Sequence, residues 1–233
     1  MSPAPPAAPE TSALRAARRQ GFSVGIATAL YGISLGALAV ANGLTVLQAC
    51  ATSLLLFSGG SQFALVGVLG GGGSVASAVA ASSLLGVRNA LYGLQVSGFL
   101  DARGARRLLA AHWTIDESTA VGIAQPTDAA RRRGFWVTGA VVFVGWNLMT
   151  LLGAVLGDSL GDPRRYGLDA AAGAAFLGLL WPRLRQRRSA VAAAGAAVVA
   201  ILLVPAVPVG LPIVAAAGVA LLLGLLPARG RSA

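Results

Sequence analysis

Residues 135–156 read FWVTGAVVFVGWNLMTLLGAVL, and no Asp, Glu, Lys or Arg interrupts them. About 20 mostly apolar residues in a helix cross the ~30 Å hydrocarbon layer of a bilayer. Phe135–Leu156 therefore reads as a membrane span. Arg131, Arg132 and Arg133 stand immediately before it and Asp158 just after it. The pattern repeats outward in both directions. Toward the C-terminus come a polar loop (Asp158–Arg165), a span from Tyr166 to Trp181 stopped by Pro182, and a loop with Arg183, Arg185, Arg187 and Arg188. Ala190–Val204 and Leu211–Leu226 follow, separated by Pro205, Pro208 and Gly210, and residues 227–233 form a basic tail. Toward the N-terminus lie the polar segment 101–133, an apolar unit Val75–Val96, a unit Leu44–Leu69 and a span Phe22–Ala41.

Composition agrees. Of 233 residues, 56% are hydrophobic and 11% charged, and mean hydropathy is +0.74. Soluble domains carry about 25% charged residues. The expected fold is all-α: a polytopic transmembrane helical bundle of about seven apolar units forming one domain, 21–226. Residues 1–20, with Pro3, Pro5, Pro6 and Pro9, read as a disordered tail. Ala39-Val40-Ala41 resembles a signal cleavage site, but the apolar run before it exceeds the 7–15 residues of a signal core, so a retained span is expected. The similarity of Arg18-Arg19-Gln20-Gly21-Phe22 to Arg131-Arg132-Arg133-Gly134-Phe135 admits two repeats, 21–100 and 134–226, joined by 101–133.

All 18 basic residues are arginine, against 8 acidic ones, giving a net charge of +10. They cluster between apolar runs without aromatic interleaving, which is the pattern of cytoplasmic loops rather than of a nucleic-acid surface. The N-terminus, Arg131–Arg133, the Arg183–Arg188 loop and the tail read as cytoplasmic, in a multi-pass membrane protein. The chain before Arg131 must then cross an even number of times. Either the unit around 58–62 is re-entrant, or Leu108–Gln125 is itself a span rather than a cytoplasmic amphipathic helix.

Polar groups inside apolar segments mark candidate chemistry, because each charge there costs about 2.5–3.5 kcal/mol or more. Arg88 sits mid-unit beside Asn89, with Tyr92 one turn on. It suits either a substrate carboxylate or an internal ion pair. Ser58-Gly59-Gly60-Ser61-Gln62 interrupts an apolar run. A helix broken or re-entrant there exposes half-helix ends and free backbone groups that fit a zwitterionic amino acid; close helix packing through small residues is the alternative. Asp116 and Glu117 are candidates for coupling or gating. His112, four residues before Asp116, would share a helix face with it. One histidine and the single Cys50 are too few for a metal site. The chain shows no P-loop and no nucleophile elbow, so neither enzyme chemistry nor a cofactor is expected.

The block Phe57-Ser58-Gly59-Gly60-Ser61-Gln62-Phe63-Ala64, followed by Gly86-Val87-Arg88-Asn89-Ala90-Leu91-Tyr92-Gly93, resembles the AzlC family of branched-chain amino-acid permease large subunits. Gly32–Ala37 and Thr114-Ile115-Asp116-Glu117-Ser118 are similar to it too, so the resemblance covers roughly residues 20–125. It implies a secondary exporter of small apolar amino acids, driven by a proton or substrate gradient, with a small multi-spanning partner of the AzlD type. A non-transporting membrane scaffold, or a transporter of another small solute, is the competing reading. Members of the family often place Asn before Arg in the third unit. Here the order is Arg88-Asn89, which leaves open which side chain faces the pathway.

Overall fold

A computed structural model describes residues 7–159, 177, 180–207 and 211–225, and these are helical with no strand among them. The helices are α1 (Ala7–Leu30), α2 (Gly32–Ala41), α3 (Val46–Leu56), α4 (Gly59–Gly70), α5 (Val75–Leu100), α6 (Ala105–His112), α7 (Asp116–Ile123), α8 (Asp128–Ser159), α9 (Arg187–Leu203) and α10 (Leu211–Leu225). Two 32-residue stretches, Glu10–Ala41 and Asp128–Ser159, are long and apolar enough to cross a membrane. The shorter α3 and α4 are apolar as well. This is a helical membrane bundle. The expected span Tyr166–Trp181 lies almost entirely outside the described residues, as do the C-terminal tail and residues 1–6. The expected tail 1–20 is helical from Ala7 onward. Its alanines favour helix, Glu10 lies in the first turn, and Arg15 Nε donates to the Thr11 carbonyl at 3.4 Å.

Helix α8 is the spine. The α1–α2 rod runs parallel to it, because contacts ascend together on both: Gly21 meets Thr138, Gly25 meets Val141, Gly32 meets Met149 and Ala37 meets Gly157. Without a hydrophobic drive between helices in lipid, small residues that let backbones touch hold such pairs together. At Gly36 the approach is so close that a methyl group would overlap the Thr150 carbonyl, and at Gly153 it would overlap that of Ile33.

Two hairpins enter from opposite ends of this pair. Thr45 opens α3 with a reciprocal cap, its Oγ1 accepting from Gln48 N and its N–H donating to Gln48 Oε1. The chain descends past Thr150, turns at Phe57–Ser58 near Phe143, and α4 returns until Gly70 lies against Asn42. A bond across the hairpin from Gln62 Nε2 to the Thr52 carbonyl (3.1 Å) ties its arms. The break around residues 58–62 is thus a hairpin that leaves where it entered. Helix α5, about 39 Å long for 26 residues, then runs back along the bundle, from Ser74 beside that entry point to Phe99 beside Arg132 at the other end of α8.

The second hairpin rises from that end. Arg106 of α6 lies over Trp136, His112 reaches Phe143, and Val121 and Gly122 of α7 come back to Gly134 and Arg131. Leu108–Gln125 is therefore neither a span nor a single amphipathic helix. Each arm has eight residues, about 12 Å, which is less than half of a hydrocarbon layer. Long helix plus hairpin thus occurs twice in opposite orientation, α1–α4 and then α5–α7. Beyond α8, the described chain ends in the antiparallel pair α9–α10, joined by Arg188 Nη2 to the Leu223 carbonyl at 2.8 Å.

Candidate functional site

The two hairpin tips meet midway along α8. Phe57 of the first and His112 of the second have ring centroids 5.5 Å apart, and both rings also pack on Phe143. Phe57 has φ of +21°, a conformation costly for a bulky side chain, and it is nearly fully buried. The turn that separates the half-helices is held by packing.

Beside the tips is a cavity of about 400 Å³, within the range of small-molecule sites. Tip one supplies Phe57, Ser58, Gly59 and Gly60; tip two supplies Ile115, Asp116 and Glu117; α5 supplies Arg88 and α8 supplies Val142 and Trp146. Tyr31, at the α1–α2 interruption, and Leu180 complete part of the wall.

The charged groups are ordered. Arg88 Nη2 lies 2.8 Å from Asp116 Oδ2, with both side chains about one-third exposed (34% and 32%). Tyr92 Oη donates to Asp116 Oδ1 at 2.6 Å. Arg88 and Tyr92, one turn apart, thus reach the same carboxylate from one helix face. Arg88 Nε is buried without a partner, so the guanidinium has donors to spare. Glu117 lines the cavity and joins no ion pair among the described residues.

Helix ends sharpen the polarity. Ser58 precedes α4 but caps none of its amides; its Oγ donates instead to Ser61 Oγ at 3.2 Å. The positive end of α4 opens beside the Arg88 guanidinium, which would lie 2.9 Å from a methyl group on Gly60. Helix α7 begins with Asp116 and Glu117, which complement its own N-terminus. One wall therefore presents a cation and uncapped amides, and the other presents two carboxylates. That arrangement can hold a small zwitterion by both ends.

Not every expected site residue reaches the cavity. Gln62 is 1% exposed; besides its bond to Thr52, its Oε1 accepts from Trp146 Nε1 at 2.9 Å. It braces the first hairpin against α8. Ser61 is fully buried and engaged by Ser58. Asn89 does not line the cavity, and its Oδ1 is buried without a partner. Arg88 is the member of that pair which faces inward. His112 and Asp116 do not share a helix face, because α6 ends at His112 and Trp113–Ile115 intervene. Trp146 is an interhelical hydrogen bonder and a cavity wall at once. An indole N–H inside an apolar span needs a partner, and this was the available signal.

Taken together, an all-helical membrane bundle with half-helices converging on a charged central cavity defines a membrane transport-related protein. A family model described as "AzlC protein" matches residues 23–160. The chain belongs to the AzlC family. No match was found among curated proteins or among solved structures.

Proposed function

We propose that this protein is the large subunit of a two-subunit secondary exporter of branched-chain amino acids in the bacterial inner membrane, with its N-terminus in the cytoplasm. The observation that carries the reading is the bipolar cavity between the hairpin tips. The substrate carboxylate takes Arg88 and the uncapped α4 N-terminus; the ammonium takes Asp116 and Glu117. The ammonium falls to the acidic residues rather than to Gln62 or Ser61, which do not line the cavity. The apolar side chain rests on Phe57, Val142 and Trp146. The hairpins are re-entrant from opposite membrane faces, so opening one tip at a time gives alternating access. A small AzlD-type subunit completes the exporter.

The test is the intracellular pool of valine, leucine and isoleucine in cells fed a branched-chain dipeptide, with and without the chain and its partner. Lower pools and faster release support export. Unchanged pools, with both proteins present in the membrane, refute it and favour a scaffold or another solute.

A further inference from the structure

We propose a second binding site, remote from the central cavity, for the phosphodiester head group of an anionic phospholipid. A groove of about 580 Å³ opens where α1, α6 and α8 meet, lined by Leu14, Arg106, Arg132, Arg133, Trp136 and Val137 among others. Three arginines line it from two helices. Arg106 stacks over the Trp136 ring, 5.0 Å from its centroid, and Arg132 Nε is tethered to the Phe99 carbonyl. Two of the three are therefore pre-positioned, with their terminal nitrogens left over for a ligand. Among the described residues none of the three forms an ion pair with a carboxylate. The neighbouring Asp128 is occupied by Arg131 at 3.1 Å, and Glu10 lies one turn before Leu14 on α1. None of the residues lining the groove is acidic.

Its place in the bundle selects the ligand. The arginines stand at the end of α8 where the apolar run from Phe135 begins, and parallel α1 brings Arg15, Arg18 and Arg19 to the same end. Leu14, Val137 and Ala140 continue the groove as an apolar wall beside the basic rim. A basic rim over an apolar wall at the membrane boundary fits a phosphate head group with its acyl chain lying along the helices. Trp136, under Arg106, stands where the arginine cluster gives way to the apolar run, the sequence position at which interfacial indoles are favoured.

The test uses the purified full-length protein in nanodiscs carrying brominated phosphatidylglycerol or brominated phosphatidylcholine. Tryptophan quenching in the native protein minus that in Trp136→Phe isolates Trp136. The expected result is quenching at a several-fold lower fraction of the anionic lipid. Arg133→Gln, whose native side chain makes no hydrogen bond or ion pair among the described residues, should weaken that preference about 5-fold, the share of one arginine near an anionic surface. Millimolar inorganic phosphate should leave the preference intact. Equal quenching by the two lipids, or an unchanged preference in Arg133→Gln, would overturn the proposal. Displacement by phosphate alone would assign the groove to a soluble anion and overturn it equally.

Discussion

Replacing Arg88 with Ala is the most informative perturbation of the central cavity. Arg88 holds Asp116 at 2.8 Å, and Tyr92 holds it from the other side. Breaking a fully buried pair costs about 3–5 kcal/mol, and an exposed pair is worth under about 1. With both side chains about one-third exposed, the loss of stability falls near 2 kcal/mol. A charged hydrogen bond to a substrate carboxylate contributes about 1.5–3 kcal/mol, or roughly 10- to 150-fold in affinity. Arg88→Ala should therefore insert in the membrane, unfold at somewhat lower temperature, and lose export. The double variant Arg88→Gln/Asp116→Asn removes both charges and strands neither. It should recover most of the stability and none of the export. Efflux from preloaded cells, normalised to membrane abundance, reads one quantity, and thermal unfolding in detergent reads the other. Wild-type efflux by Arg88→Ala, or by the neutral double variant, would show that the pair only fastens α5 to the second hairpin.

Three further expectations follow from single contacts. Gly60→Ala puts a methyl group 2.9 Å from Arg88 Nη2; the guanidinium must swing aside, so efflux should fall while melting temperature changes little. Gly36→Leu forces α2 off the Thr150 carbonyl, a misfit with no flexible side chain to yield, and should prevent accumulation of folded protein, whereas Gly98→Ala, with nothing within 4 Å of the added methyl, should accumulate normally. Trp146→Phe removes the N–H that satisfies buried Gln62; an orphaned buried amide oxygen costs about 1–3 kcal/mol, visible as a lower melting temperature and faster proteolysis at the Phe57–Ser58 turn.

Membrane residence and helical class were legible in the chain alone. They depend on additive quantities, the apolar length of each run and the charge between runs, which need no knowledge of neighbours. The interruption at Ser58–Gln62 was legible for the same reason, since glycines and hydroxyls in an apolar run signal a break wherever they occur. Arg88 and Tyr92 could be paired because helical periodicity is local. The second hairpin was not legible. Leu108–Gln125 has the length and composition of either a span or a surface helix, and only packing of His112 and Trp113 against α8 shows that it turns at Trp113–Ile115. The same holds for the site. Asp116 is separated from Arg88 by 28 positions, and Gln62 from Trp146 by 84. Patterning told which residues were too costly to be idle in lipid. Tertiary structure decided which of them face one another, because a buried polar group is satisfied by whatever partner the fold brings within 3 Å, and that distance is set by helix packing rather than by order along the chain.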